Sequence, residues 1–335
     1  GEHINAAYHG GVLLPGNMHF KLHPAATIQM TPNDKGYYCT VAIPDGQDVW
    51  ISGGTIRGDR DTHDYSDGRT HENGDLICVG SAGGSRRILI EDMTLHDATG
   101  DGIIINDAYD DTRDVTIRNN DIHHNRRQGI SIIRGSNIVI EGNDIHHIKG
   151  TAPQFGIDIE NTESLGPGVN HSILVQNNAF YLNKGGDFLN TDGRNVWFLN
   201  NSLDNTGLGE SQVDGPIVFW HKTSQVIRGN HIISTVPNAN GMWALKNYPL
   251  GTNPLEPTII EDNVFDGGGI NIFGGDHDWR MTYVRVARNI VNGHNFVQTD
   301  TPCLQFDDNQ VNASDVSYPY MMRDVSGSAS NNTGD

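Results

Sequence analysis

Positive charge is scarce in this chain: 22 Lys and Arg stand against 41 Asp and Glu, a formal net charge of −19. That balance repels nucleic-acid phosphates and anionic lipid, so neither is expected as a partner. Cysteine is scarcer still. Cys39, Cys78 and Cys303 are odd in number, far apart and without metal-ligand spacing, which predicts semi-buried thiols and neither a disulfide framework nor a zinc site. No apolar run approaches the ~18 residues of a spanning helix, so membrane insertion is not expected. No charged-then-apolar leader opens the chain, which starts at Gly1 and ends in SGSASNNTGD, as a segment cut from a longer protein would. Helical periodicity over ten or more residues is missing from 49 to 311. With aromatics at 7%, and 40 glycines and 13 prolines in no collagen period, coiled coils and helical bundles are disfavoured.

What the chain has is repetition. ISGGTI, IEDMTL, IRNNDI, IEGNDI, VQNNAF, FLNNSL, IRGNHI, IEDNVF, VARNIV and FDDNQV share one pattern, apolar residues enclosing small or polar ones, with Asn usually fourth. The fourth positions, from Gly54 and Met93 through Asn120, Asn143, Asn178, Asn201, Asn230, Asn263 and Asn289 to Asn309, recur every 20 to 39 residues. A unit that short carries a narrow apolar stripe, which it can bury only by stacking on its neighbours. Unequal intervals mean loops of unequal length between the rungs.

Most units hold a second, glycine-led strand: GIII, GISII, GIDIE, GDFLN, GPIVFW, GMWAL and GINIF. Period-two alternation puts Ile103, Ile105, Ile130, Ile132, Ile157, Ile159, Ile270 and Ile272 inward, about 4.8 Å apart from rung to rung. The Asn of each turn tolerates a left-handed conformation and can bond to the Asn of the adjacent rung, an asparagine ladder. The expected fold is all-β, a single-stranded right-handed parallel β-helix of about ten coils. Residues 1–48 are read as an N-terminal lead-in and cap, 49–311 as the β-helix, and 312–335 as a C-terminal linker or tail.

The opening INAAYHGGVLLPGN resembles the start of pectate-lyase-like β-helix domains, where a capping helix leads into a first strand and a Pro-Gly turn. HNRRQGISI with TAPQFGIDIEN resembles the right-handed β-helix domains of phage tail appendages and tailspikes. The likeness implies an extracellular virion component, a homotrimer, acting on a bacterial surface polysaccharide or teichoic acid. The superfamily includes lyases, hydrolases, epimerases and non-enzymatic modules, so function has to be argued from the outward face.

If Ile157 and Ile159 point inward, Asp158 and Glu160 leave the same strand outward, with Cα atoms roughly 6.5 to 7 Å apart. GGDFLNTD is expected to bring Asp187 beside them from the next rung, followed by Asp192 at the strand's end. Arg134 ends the preceding strand, which presents Ser131 outward; Lys184 is expected nearby, and His221 ends the strand beyond. Carboxylates crowded on one face repel one another, which raises at least one pKa and separates an acid from a base. Such a pair is what glycosidic hydrolysis requires. Asp158, Glu160 and Asp187 are therefore the candidate catalytic residues, with Arg134, Lys184, Asp192, Trp220, His221 and Trp243 as substrate contacts, the tryptophans as stacking surfaces. A calcium site or plain solvated surface are the competing readings of the cluster. No other cofactor is expected.

His96, His123 and His146 recur in register, with His124 and His147 beside the latter two; these are read as a stacked surface ladder and no metal site is assigned to them. NTDG at 190–193 is similar to a polygalacturonase motif, whose other elements are missing. DIEN stands where alginate epimerases and related lyases carry Asp-Pro-His-Glu, so Asp158 matches that family's catalytic Asp while Glu160 fills its His position. Asp187 and Asp192 keep its spacing of two further Asp. The functional expectation is thus a depolymerase of a bacterial surface polymer, by glycosidic or phosphodiester cleavage. A polyuronate lyase or mannuronan C5-epimerase-like enzyme and a non-cleaving glycan adhesin are the alternatives.

Overall fold

Short segments with isoleucine at alternate positions cannot bury that face alone, and here each coil buries it against the next. The computed structural model describes residues 11–80, 84–106, 112–160, 170–210, 212, 215–220, 224–234, 243–248, 256–272, 283–293, 297–299, 302–313, 320–322 and 326–334. Among them there is no helix, and within each unit the strands pair in parallel with those three places along the chain. The chain divides into two compact units, residues 1–173 and 174–335.

In the first unit Tyr37–Ile43, Asn73–Gly80, Ile103–Asn106, Ile130–Ile132 and Phe155–Ile159 line up in one sheet. Gln47–Ser52, Arg86–Glu91, Arg113–Arg118 and Ser136–Glu141 form a second. Thr55–Arg57, Thr94–His96, Asp121–His123 and Asp144–His146 form a third. Ile103, Ile130 and Ile157 are register partners, as are Ile105, Ile132 and Ile159, and all six are wholly buried. Each such side chain contributes about 1.5–3 kcal/mol through burial.

The second unit repeats the plan, with Gly186–Asn190, Ile217–Trp220, Trp243–Tyr248 and Gly269–Ile272 in one sheet. Its asparagine ladder is continuous. The Nδ2 groups of Asn178, Asn201, Asn230, Asn263, Asn289 and Asn309 each donate to the Oδ1 of the next ladder asparagine, ending at Asn332, over 2.9–3.1 Å. In the first unit Asn120 donates to Asn143 in the same way.

The ladder corrects one expectation. The left-handed residue of each turn is the one before the ladder asparagine: Asn119, Asn177 and Asn200 have φ of 54–55°, and where that place is Gly142 or Gly229 φ is 64° and 68°. Tandem Asn-Asn thus divides the work, the first residue bending the chain and the second satisfying buried backbone groups.

Three further corrections follow from the coil geometry. Cys39 and Cys78 form a disulfide with Cα atoms 6.0 Å apart. Their separation of 39 residues in sequence is a turn of the solenoid, so distance along the chain was the wrong guide. The coils also outrun the expected limits of 49 and 311: Met18–Lys21 pairs with Gln47–Ser52, and Ser326–Ser330 with Pro302–Asp307. Those end coils lack the isoleucine-rich signature, the last being Ser-Ala-Ser-Asn-Asn-Thr-Gly. The capping helix expected before the first strand falls on residues outside the described ones.

Last, the outward face of the first sheet is not open. Ala42, Cys78, Ile104, Ser131 and Asp158 follow one another along it, and all are buried.

Candidate active site

That covered face is where the carboxylates gather. Asp158 projects from Phe155–Ile159, and Glu160 follows the end of the strand. Asp101 and Gln128 precede the glycines that open two earlier strands of the same sheet, and Asp75 lies on Asn73–Gly80. The chain approaching Gly129 holds Arg127, whose backbone N–H donates to the carbonyl of Gly100 over 3.0 Å.

Arg127 joins the group. One terminal nitrogen donates to both oxygens of Glu160, at 2.7 and 2.9 Å, and the other to Asp101 Oδ2 at 2.9 Å. Ser131 Oγ donates to the same Asp101 oxygen over 2.7 Å. Gln128 Nε2 donates to Asp158 Oδ2 over 2.7 Å, while its Oε1 accepts the backbone N–H of Phe155 over 2.8 Å. Asp75 Oδ1 accepts the backbone N–H of Asp101 over 2.8 Å. Among the described residues, Oδ1 of Asp101 and Oδ1 of Asp158 have no hydrogen-bond partner, although both atoms are buried.

Four carboxyls face one guanidinium here, and three of them are sealed from water. Burial pushes the Asp158 carboxyl well above the usual range, and Glu160 adds to the rise. Burial and the charge of Asp101 do the same to Asp75. Asp101 is pushed up to about 6 by burial, with Arg127 opposing. Burial works against the Arg127 charge, and Asp101 and Glu160 more than offset it, so the guanidinium stays protonated. Glu160 is the accessible member, with 22% of its side chain exposed. The arrangement can therefore present a protonated carboxyl and an ion-paired carboxylate on one strand end.

Asp158 and Glu160 thus fall in one cluster. Asp187 belongs to the second unit and is wholly buried, both oxygens already taken: Oδ1 accepts Asn183 Nδ2 at 2.9 Å and Oδ2 accepts Asn205 Nδ2 at 2.6 Å. Burial pushes its pKa up to about 7. Asp192 is also buried. Lys184 pairs with Glu210 over 2.8 Å. Arg134 is half-buried beyond Ile130–Ile132, and the arginine seated on Glu160 is Arg127. His221 lies outside the described residues, as do the side chains of Trp220 and Trp243, whose backbones lie in Ile217–Trp220 and Trp243–Tyr248.

Asp75, Asp101, Arg127 and Gln128 escaped the sequence. Asp101 and Gln128 each stand directly before a strand-opening glycine, one coil apart, and that shared place was the available signal. The histidine ladder is present: His96 stacks on His123 and His123 on His146, with ring centroids 4.8 and 5.0 Å apart, and His124 stacks on His147 at 4.7 Å. Burial lowers His123 to about 4 and lowers His124 and His147 as well.

A further buried group ties the loop after Thr55–Arg57 to the coils. Asp59 accepts from Tyr38 Oη, from Thr99 Oγ1 at 3.1 Å and from the N–H and Nδ2 of Asn33, and contacts His63 Nδ1 at 2.9 Å. His63 Nε2 meets His71 Nδ1 at 2.7 Å, and His71 Nε2 meets Asp67 at 2.9 Å.

Fold and register define the class: the chain is an all-β right-handed parallel β-helix, and residues 33–166 match the family described as "Right handed beta helix region". It is 29% identical over 324 residues, 91% of its length, to "Uncharacterized protein YclG" of Bacillus subtilis (strain 168), and 30% identical over 67% of its length to "SPbeta prophage-derived uncharacterized protein YorA" of the same organism. The chain spans 52% and 39% of those two relatives. Among solved structures it is similar to the A-module of the mannuronan C-5 epimerase AlgE6 of Azotobacter vinelandii, with a TM-score of 0.56, 13% identity and coverage of 98% of this chain and 87% of that one. It is also similar to the catalytic unit of a GH87 alpha-1,3-glucanase of Streptomyces thermodiastaticus strain HF3-3, with a TM-score of 0.50, 17% identity and coverage of 99% and 64%. At those identities the likeness is one of fold, and the fold neighbours are enzymes of glycans.

Proposed function

We propose that the protein is a depolymerase of a bacterial cell-surface polymer that hydrolyses glycosidic bonds at the carboxylate cluster of its first unit. The observation that carries this is the contrast between Asp158 and Glu160. Asp158 is shielded from water and held toward its protonated form, while Glu160 is ion-paired to Arg127 and reachable from solvent. Asp158 then protonates the leaving glycosidic oxygen as the C–O bond breaks, and Glu160 acts on water or on the anomeric carbon. Arg127 fixes Glu160, and Asp187 takes no part in proton transfer because both its oxygens are held by amides. Arg134, Trp220 and Trp243 are assigned to the polymer rather than to the reacting bond.

The prophage-derived relative supports a place in a phage tail appendage, where this architecture would act as a homotrimer outside the cell. The Cys39–Cys78 disulfide agrees with an oxidising compartment. A polyuronate lyase or epimerase fits less well: Arg127 is already engaged by Asp101 and Glu160 and is not free to neutralise a uronate. The 2% exposure of Asp158 favours a second reading, a glycan-binding adhesin that cuts nothing. Incubation with purified bacterial capsule and wall polymers, teichoic acid included, separates them. A hydrolase releases oligomers with new reducing ends, a lyase releases products absorbing in the ultraviolet, and binding without any shortened product would overturn the depolymerase.

A further inference from the structure

The coil repeat accounts for one column of histidines but not for two. His123 and His146 are register partners at the ends of Asp121–His123 and Asp144–His146. The next residues, His124 and His147, occupy left-handed corners with φ of 55° and 56°. Those corners turn each second imidazole back toward the first: Nδ1 of His123 lies 2.7 Å from Nδ1 of His124, and Nδ1 of His146 lies 2.7 Å from Nδ1 of His147.

Two Nδ1 atoms at that separation share one hydrogen, one ring donating its N–H and the other accepting on its lone pair. In His146 the other ring nitrogen, Nε2, meets Asp121 Oδ1 at 2.9 Å. A carboxylate there holds the proton on Nε2, so Nδ1 of His146 is the acceptor and Nδ1–H of His147 the donor, and a metal ion bound at that nitrogen takes the place of the shared proton. A carboxylate holding the outer nitrogen of an imidazole is the usual support of a metal-ligating histidine. His124 completes the group: one ligand atom from each of His124, His146 and His147 lies within 4.8 Å of the others.

We infer that His124, His146 and His147 form a binding site for a divalent transition-metal ion, with Asp121 orienting His146. Imidazole donors select zinc, copper or nickel over calcium or magnesium, which want oxygen. At metal–nitrogen distances of about 2.0–2.1 Å the three ligand nitrogens adjust their spacing by small ring rotations, the close His146–His147 pair opening as its shared proton leaves. His124 is exposed and the other two half-buried, so rotation displaces no core side chain. Water fills the remaining positions. The site lies on the third sheet, apart from Asp158 on the first, and does not depend on the proposed depolymerase activity.

Titration of the whole chain with ZnCl2 in a calorimeter tests the site. About one equivalent is expected to bind saturably, and Co2+ is expected to give visible absorption from bound nitrogen ligands. His124→Gln, His146→Ala and His147→Ala should each weaken Zn2+ by tenfold or more, and Asp121→Asn by roughly 10–100-fold. His171→Ala, on a different sheet, should bind as the parent does. Circular dichroism identifies any variant that misfolds, and the exposed His124→Gln decides the matter if either buried-side substitution does. Absence of saturable Zn2+ binding to the parent, or undiminished binding by His124→Gln and His147→Ala, would overturn the site and leave the columns as ring stacks alone.

Discussion

Arg127 holds both oxygens of Glu160, at 2.7 and 2.9 Å, from one terminal nitrogen while its other grips Asp101 at 2.9 Å. This bridge crosses coils that are 26 and 33 residues apart in sequence and seats one carboxylate against a guanidinium beside Asp158, whose pKa burial pushes well above the usual range. If hydrolysis runs through that contrast, Asp158→Asn removes the transferable proton at nearly constant shape. Turnover on a cleavable polymer is expected to fall by roughly 10² or more, with melting temperature and polymer binding retained. In the parent, the rate should decline as pH rises through the elevated pKa of Asp158, since the acid form is the working one. Asp204→Asn, an exposed position on the third sheet, is the control and should change little. Full activity in both Asp158→Asn and Glu160→Gln would sink the assignment.

The fold was legible in the sequence because its signals are local and repeated. Six isoleucines in register and the Asn-led turns are readable one coil at a time. The site was legible only along the strand that carries it. Asp158 and Glu160 emerge from period-two alternation, whereas Arg127, Asp101 and Asp75 arrive from other coils by corner geometry that alternation does not encode. The same blind spot hid the disulfide: Cys39 and Cys78 are remote in the chain and adjacent in space because a solenoid turns once between them.

That disulfide closes a loop spanning 39 residues of sequence, and chain entropy alone assigns such a loop roughly 4 kcal/mol. Cys78→Ser is expected to lower the unfolding free energy measured by urea titration by an amount of that order or less, and reductant should do the same to the parent and nothing to the variant. Thiol titration of the denatured, unreduced chain should find one free thiol of three. Three free thiols would dismiss the bridge.

Ladder asparagines are expected to be more sensitive in the middle of the second unit than at its end. Asn263 donates to Ile227 O and to Asn289 Oδ1, both at 2.9 Å, and its Oδ1 accepts from Asn230. Asn263→Ala strands buried partners on both sides, at about 1–3 kcal/mol for each unsatisfied group. Asn332 is only half-buried, so Asn332→Ala should cost markedly less in the same urea titration. Equal losses at the two positions would mean that the ladder is not read rung by rung.

Asp187 supplies a stability signature with a definite sign. Its folded pKa is raised from 3.8 to about 7 by burial, against the opposing hydrogen bonds of Asn183 and Asn205. The folded state therefore holds a proton that the unfolded state releases between pH 4 and pH 7. Stability from this group is fully present below pH 4 and is lost as pH rises through about 7. Asp187→Asn cannot titrate, but its side chain offers only one acceptor oxygen to two amide donors, a loss of about 1–3 kcal/mol that does not vary with pH. The variant should thus be the less stable protein at pH 4. Its deficit should shrink steadily toward pH 7 and level off above it, as the parent pays for ionising a buried carboxyl. Asp75, Asp101 and Asp158 impose the same slope on both proteins and cancel in the difference. Urea unfolding of parent and variant at half-unit steps from pH 4 to pH 8 measures that difference directly, and parallel curves would mean that Asp187 keeps an ordinary pKa inside the coil.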